Sequence, residues 1–341
     1  KKMFNKEYPF YTGSSMYMKT HFKDYADWIN KEYLKNGSKL IEIGSNDGTF
    51  LKNFSNSNID YLGFEPSENV AQEAIKNGIN TKNIFFNLEN VKNLKKFKGN
   101  TTVISAANVI CHIPDLKNLI SAVDFLLATD GVFIFEEPYM GSMFSKVSYD
   151  QIYDEHIYMF SIISIQKIFK IFDFELIDVL PQGTHGGSMR YIVARKNQRS
   201  INKRVHDGLR FEKEKKFDDE ESCLKFKIDC EKSKKNIIES LTKYKDMGKS
   251  IAGYAATSKS TTILNYCNIN NSIIDFICDT TKDKIGKYSP GMHIPIVATS
   301  EFKNNFPDIA YLFAWNHKKE IFSKESNFSD KGGKWFSHVT L

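Results

Sequence analysis

A dense group of ionisable and phenolic side chains lies in the stretch 149–161. Tyr153, Glu155 and His156 fall within four consecutive positions. An imidazole accepts a proton near neutral pH, and a phenol donates a hydrogen bond to an oxygen on which negative charge develops. The cluster therefore predicts proton removal from a substrate, with a capped helix start in solvent as the structural alternative.

Two further histidines follow apolar stretches, at positions where ligands are expected to bind. His112 lies in N-V-I-C-H-I-P-D and His185 in G-T-H-G-G-S-M-R. In open α/β sheets the ligand crevice lies beyond the carboxyl ends of the strands, so both side chains are candidates for the same site as His156. A surface or core histidine is the alternative for each.

The stretch 40–51, L-I-E-I-G-S-N-D-G-T-F-L, has the pattern of an apolar strand, a tight glycine turn and a helix. Glu65 ends the next apolar run, close to the roughly 20-residue spacing expected for a ribose-binding acid. The glycines let the backbone approach a ligand, and a carboxylate accepts two hydrogen bonds from a vicinal diol. The E-x-G-S-N-D-G form favours S-adenosylmethionine (SAM) over NAD, with an ordinary turn and a surface Glu as the alternative. The residues expected to hold SAM are Glu42, Gly44, Ser45, Asn46, Gly48, Phe50, Glu65, Pro66 and Asn108.

Alternating strand and helix signals surround these motifs. Strands are predicted at 39–43, 61–64, 84–86, 102–106 and 132–136, and helices at 47–54, 67–77, 116–127 and 164–172. This order indicates a parallel sheet with helices on both faces. Two more strands, 174–180 and 189–195, have no room for a helix between them and form an antiparallel hairpin. The pattern is that of a class I, seven-stranded, Rossmann-like methyltransferase domain of the α/β class, not of a dehydrogenase.

Four segments are predicted along the chain. Residues 1–35 form an aromatic N-terminal segment and a lead-in helix, which either packs or covers a site, and 36–197 form the SAM-binding domain. Residues 198–248 are a charged helical connector, and 249–341 a second, smaller doubly wound α/β domain with strands near 250–252, 273–278 and 309–315. The turn at 253–258 lacks most of the glycines of a dinucleotide site, so a whole dinucleotide is not expected there.

The composition indicates a globular protein of 341 residues, 41% hydrophobic and 26% charged. The net charge of +6 is spread along the chain, which suits a polyanionic small molecule and does not favour nucleic acid. Five cysteines form no C-x-x-C pair, so neither disulfides nor a metal site are expected, in agreement with a reducing cytoplasm. No run of about 18 apolar residues and no signal peptide are visible, so no membrane association is expected. The start at Lys1-Lys2, without a Met, suggests a fragment of a longer protein.

Six motifs together resemble one enzyme family. They are G-S-N-D-G, N-V-x-x-H-I-P-D, Y-D-Q-I-Y-D-E-H-x-x-x-F-S, H-G-G-S-M-R, Y-S-P-G-M-H-I-P-I and A-W-N. The combination resembles the sugar C-methyltransferases, which methylate C3 of dTDP-linked 4-keto-deoxy sugars in the routes to branched sugars. Members usually begin with a small zinc-binding domain built on paired cysteines, so this chain is either truncated or from a branch without that module.

The resemblance implies roles for the candidate residues. The 4-keto group acidifies the C3 proton, His156 removes it, and Tyr153 hydrogen-bonds the C4 oxygen of the enolate. Glu155 would orient or tune His156, and His112 would contact the sugar, with no metal needed because the ketone is the electron sink. The nucleotide-linked keto sugar is expected to contact Tyr8, Tyr11, His185, Gly186, Gly187, Arg190, Asn265 and Lys284.

Two other functions fit parts of the pattern. An O- or N-methyltransferase acting on a nucleotide sugar or capsule precursor would keep Gly44 and Glu65 but would need no base for a carbon acid. A non-catalytic nucleotide-sugar-binding protein would keep the fold, although the Tyr153, Glu155 and His156 set argues against it. Family likeness and moderate size favour a monomer.

Overall fold

The computed structural model describes residues 3–6 and 8–341. The chain forms two compact units, each assembled from separated stretches. Unit 1 contains the described residues up to Glu137 together with Ile157–Gln182 and Ser188–Glu214. Unit 2 contains Pro138–His156, Gly183–Gly187 and Lys215–Leu341, so two of its stretches lie inside the predicted segment 36–197.

The strands and helices alternate along most of the chain. The strands are β1 Lys39–Ile43, β2 Asp60–Phe64, β3 Thr81–Lys82, β4 Thr101–Ala107, β5 Leu127–Pro138, β6 Phe174–Gln182, β7 Ser188–Arg195, β8 Ile251–Tyr254, β9 Ile277–Asp279, β10 Ile296–Ala298, β11 Ile309–Leu312 and β12 Lys334–Phe336. The helices are α1 Met16–Tyr33, α2 Glu68–Lys76, α3 Leu88–Val91, α4 Leu116–Leu126, α5 Met140–Lys146, α6 Ile162–Lys170, α7 Lys203–Glu214, α8 Glu220–Asp246, α9 Ser258–Cys267, α10 Thr299–Asn304, α11 Lys318–Lys324 and α12 Ser326–Asp330.

Unit 1 is built on a seven-stranded sheet in the order β3-β2-β1-β4-β5-β7-β6. β1 to β5 pair in parallel, and β6 and β7 form the antiparallel hairpin expected from the sequence. α1 begins at the Ser15 cap and buries Phe22, Tyr25 and Ile29 at helical spacing in the core of this unit. The predicted class I methyltransferase fold is confirmed.

Unit 2 contains a parallel five-stranded sheet in the order β10-β9-β8-β11-β12. Successive residues of its strands point to opposite faces. Ile309 and Tyr311 of β11 belong to a core cluster that includes residues of α8 and α9, whereas Ala310 and Leu312 belong to a second cluster with Phe328 of α12. Because both faces are covered, the predicted doubly wound α/β domain is confirmed.

Several element boundaries differ from the prediction. The expected strand at 84–86 is wrong, because the edge strand is Thr81–Lys82 and Phe86 instead packs its ring against Phe64 at 5.1 Å. The expected helix at 47–54 is reduced to a 3₁₀ turn at Leu51–Phe54, because Gly48 has a φ of +79° and interrupts helical geometry. The strand expected at 273–278 is the shorter Ile277–Asp279, and β10 and β12 were not predicted.

The helices of the described residues do not include one that combines the length and the hydropathy needed to cross a bilayer.

Candidate active site

The turn after β1 brings the backbone of two loops together. Gly44 and Gly48 adopt left-handed conformations, with φ of +69° and +79°, that favour glycine. A Cβ atom on Gly44 would lie 2.4 Å from Cγ2 of Val109, a residue that follows β4. The strand order of the sheet reverses between β1 and β4. Open α/β sheets bind their ligands at such a point, so the structure places the glycine turn where a cofactor is expected.

Glu65 follows β2 and is fixed by the backbone on both sides. Its Oε2 accepts a hydrogen bond from the N–H of Asn46 at 3.0 Å, and its Oε1 accepts from the N–H of Ser67 at 2.7 Å. Burial raises the pKa of Glu65, and these N–H donors oppose that effect. A carboxylate offers about four acceptor positions, so each oxygen keeps capacity for a ribose hydroxyl while its direction is set. Pro66, the next residue, is half-buried.

Three buried acceptor atoms near this turn find no hydrogen-bond partner among the described residues. They are Glu42 Oε2, Ser45 Oγ and Asn108 Oδ1. Burial, together with the nearby Asp47 and Glu65, raises the pKa of Glu42 well above its ordinary value. Buried polar atoms are normally paired, so these atoms fit a ligand rich in donors and positive charge. SAM, with an ammonium group, a sulfonium and ribose hydroxyls, has that chemistry.

Two adjacent acids at the end of β5 lie in opposite electrostatic environments. Glu136 contacts Arg190 (Oε1 to Nε, 2.7 Å) and His21 (Oε2 to Nε2, 2.7 Å). Burial alone would raise the pKa of Glu136, but these two partners hold it below its ordinary value. Glu137 Oε1 accepts from the N–H groups of Val109 (3.1 Å) and Ile110 (2.6 Å), and burial raises its pKa to about 7. Glu137 therefore lies against the same loop that Gly44 contacts.

The aromatic N-terminal segment is attached to the glycine turn and to α2. Asn46 Oδ1 accepts a hydrogen bond from the N–H of Thr12 at 2.9 Å. Asn69 of α2 donates through Nδ2 to the carbonyl of Tyr8 at 2.7 Å and to the hydroxyl of Tyr11 at 3.1 Å. Tyr8 and Tyr11 therefore lie beside the proposed cofactor residues, as the interpretation of a covering segment requires.

His112 lies in the same neighbourhood of unit 1. It ends the 3₁₀ turn Ile110–His112 after β4, and its ring stacks on Phe4 with centroids 5.7 Å apart. Asn108, which opens this loop, has a φ of +56° and donates its N–H to the carbonyl of Glu136 at 2.8 Å. The loop after β4 thus carries both His112 and a proposed cofactor residue.

Two predicted ligand residues have structural surroundings instead. Phe50 is 1% exposed and packs against Tyr25 with ring centroids 5.1 Å apart, so we expect it to support the glycine turn from the core. Arg190 is 5% exposed and, besides Glu136, its guanidinium lies 3.9 Å from the ring centroid of Tyr25 and 4.7 Å from that of Trp28. We expect Arg190 to position Glu136 rather than to bind substrate.

The predicted proton-transfer cluster lies in unit 2. His156 Nδ1 is 2.8 Å from the carbonyl oxygen of Gln151, and the rings of Tyr153 and His156 have centroids 4.1 Å apart. Burial lowers the pKa of His156 to about 4, with the charge of Lys259 adding to the effect and the Gln151 carbonyl opposing it. Burial, followed by the neighbouring Asp154, raises the pKa of Glu155. The orienting partner of His156 is a backbone carbonyl, where the sequence suggested the Glu155 carboxylate.

The H-G-G loop is packed tightly inside unit 2. His185, Gly186 and Gly187 all have positive φ, of +52°, +88° and +126°. A Cβ atom on Gly186 would lie 2.1 Å from Cη2 of Trp315, and one on Gly187 would lie 2.5 Å from Oγ of Ser142. The glycines thus permit close approach to protein side chains, which accounts for them without a ligand.

Asn265 and Lys284, the predicted substrate contacts in the C-terminal domain, both have hydrogen-bond partners in unit 2. Asn265 Nδ2 donates to the carbonyls of Thr261 at 2.8 Å and Pro290 at 3.0 Å. Lys284 Nζ donates to the carbonyl of Ala256 at 2.8 Å, in the turn that follows β8. Both residues stabilise loops at the carboxyl edge of this sheet, which makes a direct role in binding secondary.

Sequence reasoning passed over Glu137, Lys259 and Asp150. Glu137 and Asp150 are 0% exposed, and Lys259 is 9% exposed. The available signal for Glu137 was an acid directly after the apolar run of β5, where a charged side chain reaches the ligand edge. Asp150 lies inside the stretch 149–161 that the sequence singles out, but its role, like that of Lys259, depends on contacts with residues far along the chain.

Two family models match successive parts of the chain. A family model described as a methyltransferase domain matches residues 17–179, and one described as a C-methyltransferase C-terminal domain matches residues 183–339. The chain is 30% identical over 303 residues to the C-methyltransferase NovU of Streptomyces niveus, a match that covers 89% of this chain and 72% of that protein.

Solved structures are similar over about half of the chain. Magnesium protoporphyrin IX methyltransferase from Synechocystis PCC 6803, with bound SAM, is 14% identical, with a TM-score of 0.38, over 52% of this chain and 79% of that one. A SAM-dependent methyltransferase from Archaeoglobus fulgidus is 18% identical, with a TM-score of 0.41, over 48% and 72%. With the relative from Streptomyces niveus and the two family models, the chain belongs to the SAM-dependent C-methyltransferases that carry the C-methyltransferase C-terminal domain.

Proposed function

We propose that this enzyme methylates the carbon next to the ketone, C3, of a nucleotide-linked 4-keto-deoxy sugar by way of an enolate. Membership of the C-methyltransferases sets aside the O- and N-methyltransferase alternative and the non-catalytic one. A methyl acceptor carbon beside a ketone must first lose a proton. The proposal therefore depends on a base, and His156 is the candidate.

The observation that carries the proposal is the 2.8 Å hydrogen bond between His156 Nδ1 and the carbonyl of Gln151. A carbonyl only accepts, so Nδ1 carries the proton and Nε2 of the neutral ring presents a lone pair. Since the pKa of His156 is lowered to about 4, the ring is neutral at neutral pH. A neutral imidazole held in one tautomer is in the protonation state that a general base requires.

The chain's own residues then account for the proton transfer. The C3 proton moves to Nε2 of His156, and the electron pair of the C–H bond moves toward the C4 oxygen to give the enolate. The Tyr153 hydroxyl donates a hydrogen bond to that oxygen, and Glu155 tunes the charge around His156. SAM, held by Glu42, Gly44, Glu65 and the loop of Asn108, supplies the electrophilic methyl group.

The choice of a nucleotide-linked sugar is supported by motifs that the cofactor does not require. The Y-S-P-G-M-H-I-P-I stretch and the second α/β domain are unnecessary for holding SAM, so they are available for a large acceptor. Lys284, at the turn after β8, would contact the nucleotide end.

Solvent exchange separates proton removal from methyl transfer. The substrate is incubated in deuterium oxide with the wild-type chain and S-adenosylhomocysteine, and C3 deuteration is followed by mass spectrometry over a panel of 4-keto nucleotide sugars. His156→Gln should lose exchange by at least about 10²-fold, and Tyr153→Phe by about 10²–10³-fold. Tyr158→Phe, which removes a hydroxyl that donates to the carbonyl of Pro114, is the matched control.

Two results would contradict the proposal. Near-wild-type exchange in His156→Gln would show that His156 is not the base. A product carrying its new methyl group on oxygen or nitrogen would show that the acceptor is not a carbon acid.

A further inference from the structure

We propose that Asp150 is a positioning residue whose buried carboxylate, held by Trp315 and His338, fixes the turn that orients His156. The inference rests on the proposed role of His156 as base, and it concerns how the ring is held rather than what it does. All residues in the argument lie in unit 2.

The carboxylate of Asp150 is fully buried, with one hydrogen-bond donor and one close imidazole that both come from residues far along the chain. Trp315 Nε1 donates to Oδ2 at 2.7 Å, and Nε2 of His338, whose side chain is 0% exposed, lies 3.1 Å from Oδ1. Burial alone would raise the pKa of Asp150, but His338, Lys259 and Trp315 hold it below its ordinary value. The group is therefore an ionised carboxylate in the interior.

A buried, hydrogen-bonded carboxylate is weak evidence for a stabilising role. Desolvation offsets much of the attraction, and well-packed apolar residues of similar volume are often as stable. What such a carboxylate does supply is a defined geometry, because loss of its donor leaves a buried charge without compensation. The position of Asp150 decides which geometry is fixed.

Asp150 is the middle residue of the 3₁₀ turn Tyr149–Gln151, and both neighbours are also anchored. The Tyr149 hydroxyl lies 3.7 Å from Cys267 Sγ in α9, and Gln151 Nε2 donates to Ser148 Oγ at 2.8 Å. The carbonyl of Gln151, one residue beyond the Asp150 anchor, accepts a hydrogen bond from Nδ1–H of His156. A rotation of this turn would redirect that carbonyl, and the proton of His156 would then no longer be fixed on Nδ1.

Two variants test the anchor from both ends. Asp150→Asn keeps the shape and one acceptor for the indole but removes the charge, and Trp315→Phe removes the N–H donor and keeps a ring. Asp218→Asn, at an exposed aspartate of the same unit, is the matched control for the loss of one carboxylate. Circular dichroism and SAM binding by calorimetry verify that each full-length variant is folded.

The first readout is long-range ¹H–¹⁵N NMR of the ¹⁵N-histidine-labelled chain, with the His156 signals assigned by their loss in His156→Gln. In the wild type and in Asp218→Asn they should show the Nδ1–H tautomer. In Asp150→Asn and Trp315→Phe they should shift toward a mixture of the two tautomers. This readout needs no substrate, so it is independent of the proposed reaction.

The second readout is methyl transfer. Each anchor variant should lower kcat on the order of 10²-fold, the scale of a misplaced catalytic group, with the KM for SAM within about twofold of wild type. Unchanged His156 signals in both folded variants, or a wild-type kcat in both, would overturn the inference. If Asp150→Asn fails to fold, Trp315→Phe decides alone. Failure of the proposed function itself would be seen separately, as a His156→Gln variant that still transfers the methyl group.

Discussion

Titration of His156 is the most direct prediction from the proposed site. Its pKa is lowered from 6.5 to about 4, chiefly by burial. A lowering of this size corresponds to about 3 kcal/mol between the two protonation states. Because the folded-state value is depressed, this contribution to stability is fully present above pH 6.5 and is lost as the pH falls from 6.5 toward 4. At pH 7 roughly one ring in 10³ is protonated, so the base is ready to accept a proton.

The assay is an NMR titration of the ¹⁵N-histidine-labelled chain from pH 8 to pH 4.5, with the His156 signal identified by its absence in His156→Gln. The His156 ring should remain neutral, with its proton on Nδ1, down to pH 5.5. Protonation with a midpoint near 6.5, or a proton on Nε2 at pH 7, would refute the reasoning. In the same way, the low-pH limb of kcat/KM should not appear near pH 6.5.

Three other predictions concern the scaffold. Gly44→Ala should weaken SAM binding at least tenfold by calorimetry, because a left-handed Ala costs about 1–2 kcal/mol and its Cβ would lie 2.4 Å from a methyl group of Val109. Gly37→Ala is the control, because Gly37 has a φ of +79° but nothing within 4 Å of the added Cβ, and it should bind SAM normally. Glu137→Gln should raise the free energy of unfolding by up to about 3 kcal/mol at pH 8 and hardly at all at pH 4.5. With its pKa raised to about 7, the protonated Glu137 carboxyl stabilises the wild type at low pH, and this stabilisation is lost as the pH rises from 4.5 to 7. Equal effects at both pH values in urea titrations would contradict this. Glu212→Ala should cost about 2–3 kcal/mol in the same assay, because its buried carboxylate accepts from the first two N–H groups of α6 at 2.7 and 2.8 Å. Glu214→Ala, at an exposed site on α7, the helix that carries Glu212, should cost little.

Most of the fold was predictable because long apolar runs between turn residues determine the order of strands. The failures are short elements. The run Ile84-Phe85-Phe86 has strand composition, yet Phe86 is used for packing on Phe64 and the polar pair Thr81–Lys82 takes the edge position instead. Edge pairing of two residues depends on neighbouring strands, which local composition does not describe.

The candidate site was predictable where backbone conformation restricts residue type, as at Gly44. It was less predictable where neighbours decide the role of a side chain. Glu136 and Glu137 are adjacent acids, but alternation along β5 sends one to Arg190 and the other to the loop after β4. Their pKa values consequently shift in opposite directions. A sequence shows two identical side chains there, and the difference comes from residues about 25 to 115 positions away.

The path of the chain between the units has a consequence for synthesis on the ribosome. The chain passes from one unit to the other after Glu137, His156, Gln182, Gly187 and Glu214. All of unit 1 has therefore emerged before most of unit 2 is translated, and its sheet can close early. The segment that carries His156 and the H-G-G loop must wait for residues 215–341 before their partners exist. Unit 1 should thus fold co-translationally, before the turn that holds His156 in unit 2 is complete, and a nascent chain halted after unit 1 should bind SAM without being able to remove a proton.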